Sequence, residues 1–318
     1  MRKLTSVAMA AVIGSTAALL SMTAIAPALA EYPERPVTFI VPWPPGDLED
    51  QLTRIIADEM TKATGQPAKV VNRPGGGAVE GSNAVATADP DGYTVGSLVI
   101  DVVTTTLIKG NAPFKRDALE PVGIFLTYPF ALVAKKDAPY NNMAELAAYA
   151  KTGKVKLGHF GYDLIPTMAT FVASKKLGFK FSADAPFDSL DCSTLANGDA
   201  DVINTTMATV LSCLDKIKVI AAYTDKPLSL FPDAKLLSEQ VPGLGITLWN
   251  GFFVPKGTPQ AVKDKLAAIT EAAMKSKAAQ DIATATGAGV YWQNQADSTK
   301  RIEKAYTDAE ALVKDAAK

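Results

Sequence analysis

Three carboxylates crowd one turn of the chain. Asp47, Glu49 and Asp50 follow Trp43-Pro44-Pro45-Gly46, and acids at that density have three chemical uses. They can cap a helix N-terminus, where unpaired N–H groups and the helix dipole favour negative charge. They can accept hydrogen bonds from an ammonium or another donor on a ligand. They can also bind a metal, but side chains so close in sequence rarely converge on one ion without a dedicated loop, so no metal site is expected. Capping by Asp47, with Glu49 and Asp50 in the first turn, and ligand contact by Asp47 or Glu49 both remain open.

Catalytic chemistry has little to work with. The single histidine, His159, stands in a loop-like stretch, Gly158-His159-Phe160-Gly161-Tyr162-Asp163, where a hydrogen-bonding or surface role is the ordinary one. No G-x-S-x-G, H-E-x-x-H or C-x-x-C is present, and Gly75-Gly76-Gly77 lacks the Gly-Lys-Ser/Thr ending of a phosphate loop. Cys192 and Cys213 are the two cysteines. In an exported chain they are expected to pair as a disulfide, two buried thiols being the alternative. The reading is of a binding protein without cofactor, not an enzyme.

Short β-branched runs alternating with amphipathic segments position these residues. Val37–Val41 reads as a strand, and Leu52, Ile55, Ile56 and Met60 fall at helical spacing between Asp50 and Thr64 before Gly65 ends the helix. Strands at Ala68–Asn72 and Tyr93–Leu98 follow, the second after the turn Asp89-Pro90-Asp91-Gly92. The alternation restarts after Phe130–Ala134, with a helix from Pro166 to Leu177 and strands at Ala200–Asn204, Val219–Tyr223 and Gly251–Val254. Such β-α-β order implies two α/β units, each a mostly parallel sheet flanked by helices. With no Gly/Ser linker, the chain is expected to cross between the units on strands. One domain is then 31–127 plus 250–318, the other 128–249, and the cleft between them is the ligand site.

Arg2 and Lys3, an apolar run from Val7 to Ala26, and Ala28-Leu29-Ala30 have the order of a secretory signal at 1–30, with cleavage expected after Ala30. No cysteine adjoins that junction, which excludes a lipoprotein anchor. About 290 residues remain, enough for two domains. A net charge of −1 with mixed signs offers no footprint for nucleic acid and no polybasic membrane patch.

Four ordered motifs carry a resemblance. They are Tyr32-Pro33 through Pro42-Trp43-Pro44-Pro45-Gly46 with Asp50; Gly65-Gln66-Pro67 leading to Asn72-Arg73-Pro74-Gly75-Gly76-Gly77; Asp89-Pro90-Asp91-Gly92-Tyr93-Thr94; and Trp249-Asn250-Gly251-Phe252-Phe253-Val254-Pro255. Together they resemble the substrate-binding proteins of tripartite tricarboxylate transporters, the Bug-type receptors. The resemblance implies a type II-like, two-domain periplasmic binding fold that closes over a small carboxylate-bearing metabolite and presents it to membrane permease subunits, as a monomer. In that family the Pro-Pro-Gly loop and a Gly-rich loop of the second domain hold ligand carboxylates through backbone N–H groups and ordered water. The ligand-facing residues expected here are Trp43, Pro45, Gly46, Asp47, Leu48 and Asp101, then Gly161, Tyr162, Asp163, Asn204 and Thr205, and Trp249. Trp43 and Trp249 are each expected at the carboxyl end of a strand facing the cleft, with interdomain packing as the plainer reading.

Two departures bear on the ligand. Relatives place glycine and a hydroxyl residue where Asp47-Leu48-Glu49 stand, and commonly an acid where Asn204-Thr205-Thr206 stand. A ligand with an ammonium group, a neutral ligand or an aromatic one is therefore an alternative to a simple organic acid. A periplasmic sensor that shows its closed form to a signalling protein is the alternative to delivery.

Overall fold

Residues 32–317 are described by a computed structural model; the expected signal segment and its cleavage point lie outside them. The order is β1 (Val37–Val41), α1 (Leu48–Thr64), β2 (Ala68–Asn72), α2 (Val79–Ala86), β3 (Thr94–Val99), α3 (Thr105–Ile108) and β4 (Leu119–Thr127). Next come β5 (Phe130–Lys135), α4 (Met143–Ala150), β6 (Lys156–His159), α5 (Ile165–Lys176), β7 (Ala183–Pro186), α6 (Cys192–Ala196) and β8 (Val202–Thr206). A 3-10 segment, Met207–Lys216, leads to β9 (Ile217–Ala222) and α7 (Leu237–Gln240). β10 (Trp249–Pro255), α8 (Gln260–Met274), α9 (Lys277–Thr286), β11 (Gly289–Gln293) and α10 (Gln295–Ala317) complete the chain.

The strands form two sheets. The first has six, in the order β11-β4-β10-β3-β1-β2, and the second five, β7-β6-β8-β5-β9. Both are mixed. β1 runs parallel to β2 and β3, as β-α-β crossovers require, whereas β10 enters antiparallel between β3 and β4. In the second sheet β6 is parallel to β7 and β8, and β5 is antiparallel to β8 and β9. β5 and β10, each the first strand after a crossing, run against their neighbours, and β11 is antiparallel to β4 at the edge of the first sheet.

The chain passes from the first sheet to the second through Tyr128-Pro129 and comes back at Leu248-Trp249. These passages lie side by side: Tyr128 N–H donates to Leu248 O at 2.9 Å, and Ile100 N–H to Trp249 O at 3.1 Å. α10 packs against β4 and α3 and also against α5, so it touches elements of both halves.

The apolar spacing of α1 explains its seat. Leu52, Ile56 and Met60 are completely or almost completely buried, and truncating any of them to Ala costs about 2–5 kcal/mol. The helix ends at Gly65, whose left-handed backbone donates its N–H to Thr61 O at 2.9 Å. On the first sheet Phe252 lies 5.1 Å from Phe39 and 4.8 Å from Phe125, ring centre to ring centre. β4 escapes a periodicity reading because Pro121 and Gly123 interrupt it, and both sit where its register with β10 is irregular.

Candidate functional site

The first wall of the site is built where β1 ends and α1 begins. Gly46 takes φ +100, a conformation that suits glycine, and turns the chain into the helix. Asp47 is the N-cap residue by position, yet its side chain accepts no capping hydrogen bond. The expected capping by Asp47 is thus corrected: Asp50 reaches back instead, and its Oδ2 accepts the Gly46 N–H at 2.9 Å. Asp50 also takes Arg54 Nε at 3.0 Å, Arg54 Nη2 at 2.9 Å and Asn72 Nδ2 at 2.8 Å. Despite its burial, these donors hold Asp50 below the usual carboxylate range.

Glu49 has a different partner. Its carboxylate accepts the Tyr128 hydroxyl at 3.0 Å, joining the start of α1 to the crossing between the sheets. Glu49 is 4% exposed. Burial, reinforced by the neighbouring Asp47 charge, pushes it up to about 8. Burial and then Asp50 raise Asp47 to about 6.

Asp101, just past β3, reaches into the other half. Its Oδ1 accepts the Ile165 N–H at 2.5 Å, so a carboxylate from the first half caps the first residue of α5. Burial outweighs this bond and lifts Asp101 to about 6. Nearby in sequence, Lys109 and Asn111 both bind Asp163 of the second half, Asn111 Nδ2 at 2.5 Å. Two carboxylate contacts therefore tie the halves together.

Between the halves lies a cavity of about 70 Å³. Its acidic lining is Asp47, Glu49 and Asp101; its aromatic lining is Trp43, Tyr128, Phe130 and Phe160, with Leu48, Leu164, Thr206 and Thr209 among the rest. Trp43 and Phe160 approach from opposite halves with ring centres 6.5 Å apart. The Trp43 Nε1–H is shielded from solvent and meets no acceptor, a costly state for a donor. Among the described residues no lysine, arginine or histidine lines this cavity.

A larger groove of about 1080 Å³ runs past Trp249, Tyr291 and Arg301. Among its charged groups, Arg301 donates to Tyr291 at 2.5 Å and Gln293 at 3.2 Å, and Lys304 to Asp308 at 2.5 Å, while Asp225 and Lys226 also line it. The small cavity, where helix starts and both sheets meet, is the better candidate despite its volume.

Of the residues singled out in the sequence, Trp43, Asp47, Leu48 and Asp101 meet in the cavity. Pro45 and Gly46 shape the turn but stay exposed, and Gly161 shapes the second loop with φ +155. Others are displaced from the expected role. Tyr162 is 51% exposed and lies edge-on to His159 at 4.5 Å. Asp163 spends its acceptors on Lys109 and Asn111. Asn204 and Thr205 are fully buried and point to opposite sides of β8, as strand alternation requires. Asn204 Oδ1 meets the Thr170 hydroxyl at 3.0 Å, while the Thr205 hydroxyl donates to Leu190 O at 2.8 Å. Thr206, one step further, is the β8 residue that reaches the cavity.

Trp249 begins β10 rather than ending a strand. It stacks on Phe253 at 6.5 Å and lines the larger groove, not the acidic cavity. His159 also departs from the loop reading: it is the last residue of β6, fully buried, with Nδ1 accepting the Gly161 N–H at 3.1 Å. Its burial lowers its pKa despite Asp184 alongside. Cys192 and Cys213 are bonded, tying α6 to the 3-10 segment across a separation of 21 residues. Glu49, Tyr128, Phe160 and Thr209 also line the cavity. Glu49, in the acidic turn, and Phe160, inside the 158–163 loop, carried a sequence signal; Tyr128 and Thr209 did not.

The model of the tripartite tricarboxylate transporter family receptor matches residues 52–317. The chain belongs to that family. A relative from Bordetella pertussis, described as a UPF0065 protein, is 32% identical over 256 residues, covering 78% of this chain and 79% of its own. The periplasmic binding protein BugD has a similar structure, with a TM-score of 0.80 at 26% identity, covering 90% of this chain and 99% of its own. MatC of Rhodopseudomonas palustris, solved with bound malate, shares the fold with a TM-score of 0.78 at 24% identity, covering 89% of this chain and 100% of its own. As a tripartite tricarboxylate transporter receptor, the chain is a solute-binding protein of the periplasmic type and not an enzyme.

Proposed function

We propose that this receptor is exported to the periplasm, cleaved after Ala30, and captures a small carboxylate-bearing metabolite between its two halves for delivery to tripartite tricarboxylate-type permease subunits. The moving bodies are 31–127 with 250–318, and 128–249. The observation that carries the reading is the meeting of Trp43, Glu49 and Asp101 with Phe160 and Leu164 in one cavity at the sheet crossings. A solute that touches both walls binds the closed form better than the open one, and that difference in affinity is what drives closure. The buried Trp43 Nε1–H supplies a donor for a ligand oxygen. Malate in MatC and the family's name support a small organic acid class.

The test is a thermal-shift screen of the purified protein over organic acids, amino acids, amines and aromatic acids. A captured solute at 100 times its Kd stabilises the folded state by about 2.7 kcal/mol. Stabilisation by at least one class, lost on Trp43→Ala, supports capture in this cavity; the absence of any stabilising solute contradicts it. Loss of uptake of that solute in a deletion strain supports delivery. Normal uptake refutes it.

A further inference from the structure

The cavity's charges do not balance. Asp50 is matched by Arg54, and Asp163 by Lys109. Asp47, Glu49 and Asp101 face the same small space, and no described cation pairs with any of them. Two backbone donors adjoining lining residues are also taken. Gly46 N–H, one residue before the N-cap of α1, is bound by Asp50, and Ile165 N–H, at the start of α5, by Asp101. A dicarboxylate entering here meets three acids and finds both of these donors engaged.

The rest of the lining suits the opposite charge. Trp43, Tyr128, Phe130 and Phe160 present aromatic surface around the acids, and aromatic faces attract cations while costing nothing to desolvate. The Trp43 Nε1–H adds one buried donor without an acceptor. A volume of about 70 Å³ admits the polar head of a solute in the closed arrangement and little of its chain.

We propose that this cavity recognises its solute through a protonated amine set against Asp47, Glu49 and Asp101, with a ligand oxygen on the indole N–H of Trp43. This rests on the receptor reading and replaces its simple organic-acid class with amine-bearing metabolites, of which amino acids keep the carboxylate. The amine supplies the charge that the protein withholds. Burying carboxylates without a countercharge is unfavourable and raises all three. Glu49, at about 8, therefore holds its proton near neutral pH when the site is empty and releases it to a cation, while Asp47 and Asp101, at about 6, do so only under mildly acidic conditions. The groups facing the site are Asp47 and Glu49 on α1, Asp101 after β3, and Tyr128 at the crossing.

Three four-carbon compounds separate the possibilities: putrescine with two amines, γ-aminobutyrate with one amine and one carboxylate, and succinate with two carboxylates. Each is titrated calorimetrically into the purified protein and into Glu49→Gln and Asp47→Asn. The side-chain amide introduced by Glu49→Gln keeps an oxygen for Tyr128, and Asp47 is only half-buried, so both variants test charge rather than folding. The expected result is binding of γ-aminobutyrate or putrescine and not succinate, weakened roughly 30-fold or more by Glu49→Gln. Amine affinity also rises with pH from 5.5 to 8.5, by roughly tenfold or more, because cation binding favours the ionised carboxylates.

Succinate binding alone, or amine binding that ignores both substitutions, overturns the proposal. Succinate binding alone leaves the receptor reading standing. Silence of all three compounds also overturns the amine assignment, and the wider solute screen then decides the receptor reading separately.

Discussion

The Asp101 carboxylate caps the N-terminus of α5 from across the cleft, 2.5 Å from the Ile165 N–H. A capping acid normally belongs to its own helix. Here it comes from the other half, so the cap exists only while the halves are together. Capping and closure become one interaction.

Asp101→Ala is therefore expected to open the molecule more than it destabilises either half. Loss of a buried, charge-assisted hydrogen bond costs about 1–3 kcal/mol, and the open form leaves Ile165 N–H to water. Small-angle scattering of the ligand-free variant should show a larger radius of gyration than the parent. An unchanged radius would mean that other contacts hold the closed state.

The acids also set a pH dependence. Asp47 and Asp101 are raised to about 6 and Glu49 to about 8 in the folded chain, so folding tightens their hold on protons. Their contribution is complete below their unfolded values and is lost as pH rises through about 6 and then about 8. Ligand-free protein should thus lose stability between pH 5 and 9, by up to about 4 kcal/mol from Glu49. Glu49→Gln should flatten the upper part of that curve. Urea unfolding at a series of pH values reads this directly, and a parent curve already flat above pH 6 would remove Glu49 from the explanation.

The Cys192–Cys213 bond closes a loop of about 20 residues, for which the chain-entropy account gives about 3 kcal/mol. The double variant Cys192→Ser, Cys213→Ser should unfold at lower denaturant concentration while keeping solute affinity, since neither cysteine lines the cavity. Affinity lost in step with stability would place the second half's fold, and not only its stability, under the bond's control.

What the sequence made legible follows from how local each signal is. The turn from β1 into α1 is short-range: a β-branched run, two prolines, a glycine and an apolar helical period stand close together along the chain, and Trp43, Asp47 and Leu48 follow from it. The partners across the cleft are not local. Glu49 meets Tyr128 across 79 residues, and no pattern near either residue announces the other. At β8 a shift of one position decides the outcome: Asn204 and Thr205 are taken up by buried hydrogen bonds, and Thr206 reaches the cavity. Trp249 escapes a sequence reading because β10 runs antiparallel to its neighbours, so its first residue lies where a parallel strand's last would be.

The central claim is that solute binds where Trp43 stands, in the acidic cavity between the halves. Tryptophan fluorescence during titration with a stabilising solute tests it most directly, comparing the parent with Trp43→Phe and Trp249→Phe. The ligand-dependent change should vanish in Trp43→Phe and persist in Trp249→Phe. A change that persists in Trp43→Phe with unaltered affinity, and disappears in Trp249→Phe, would move the site to the larger groove and contradict the account.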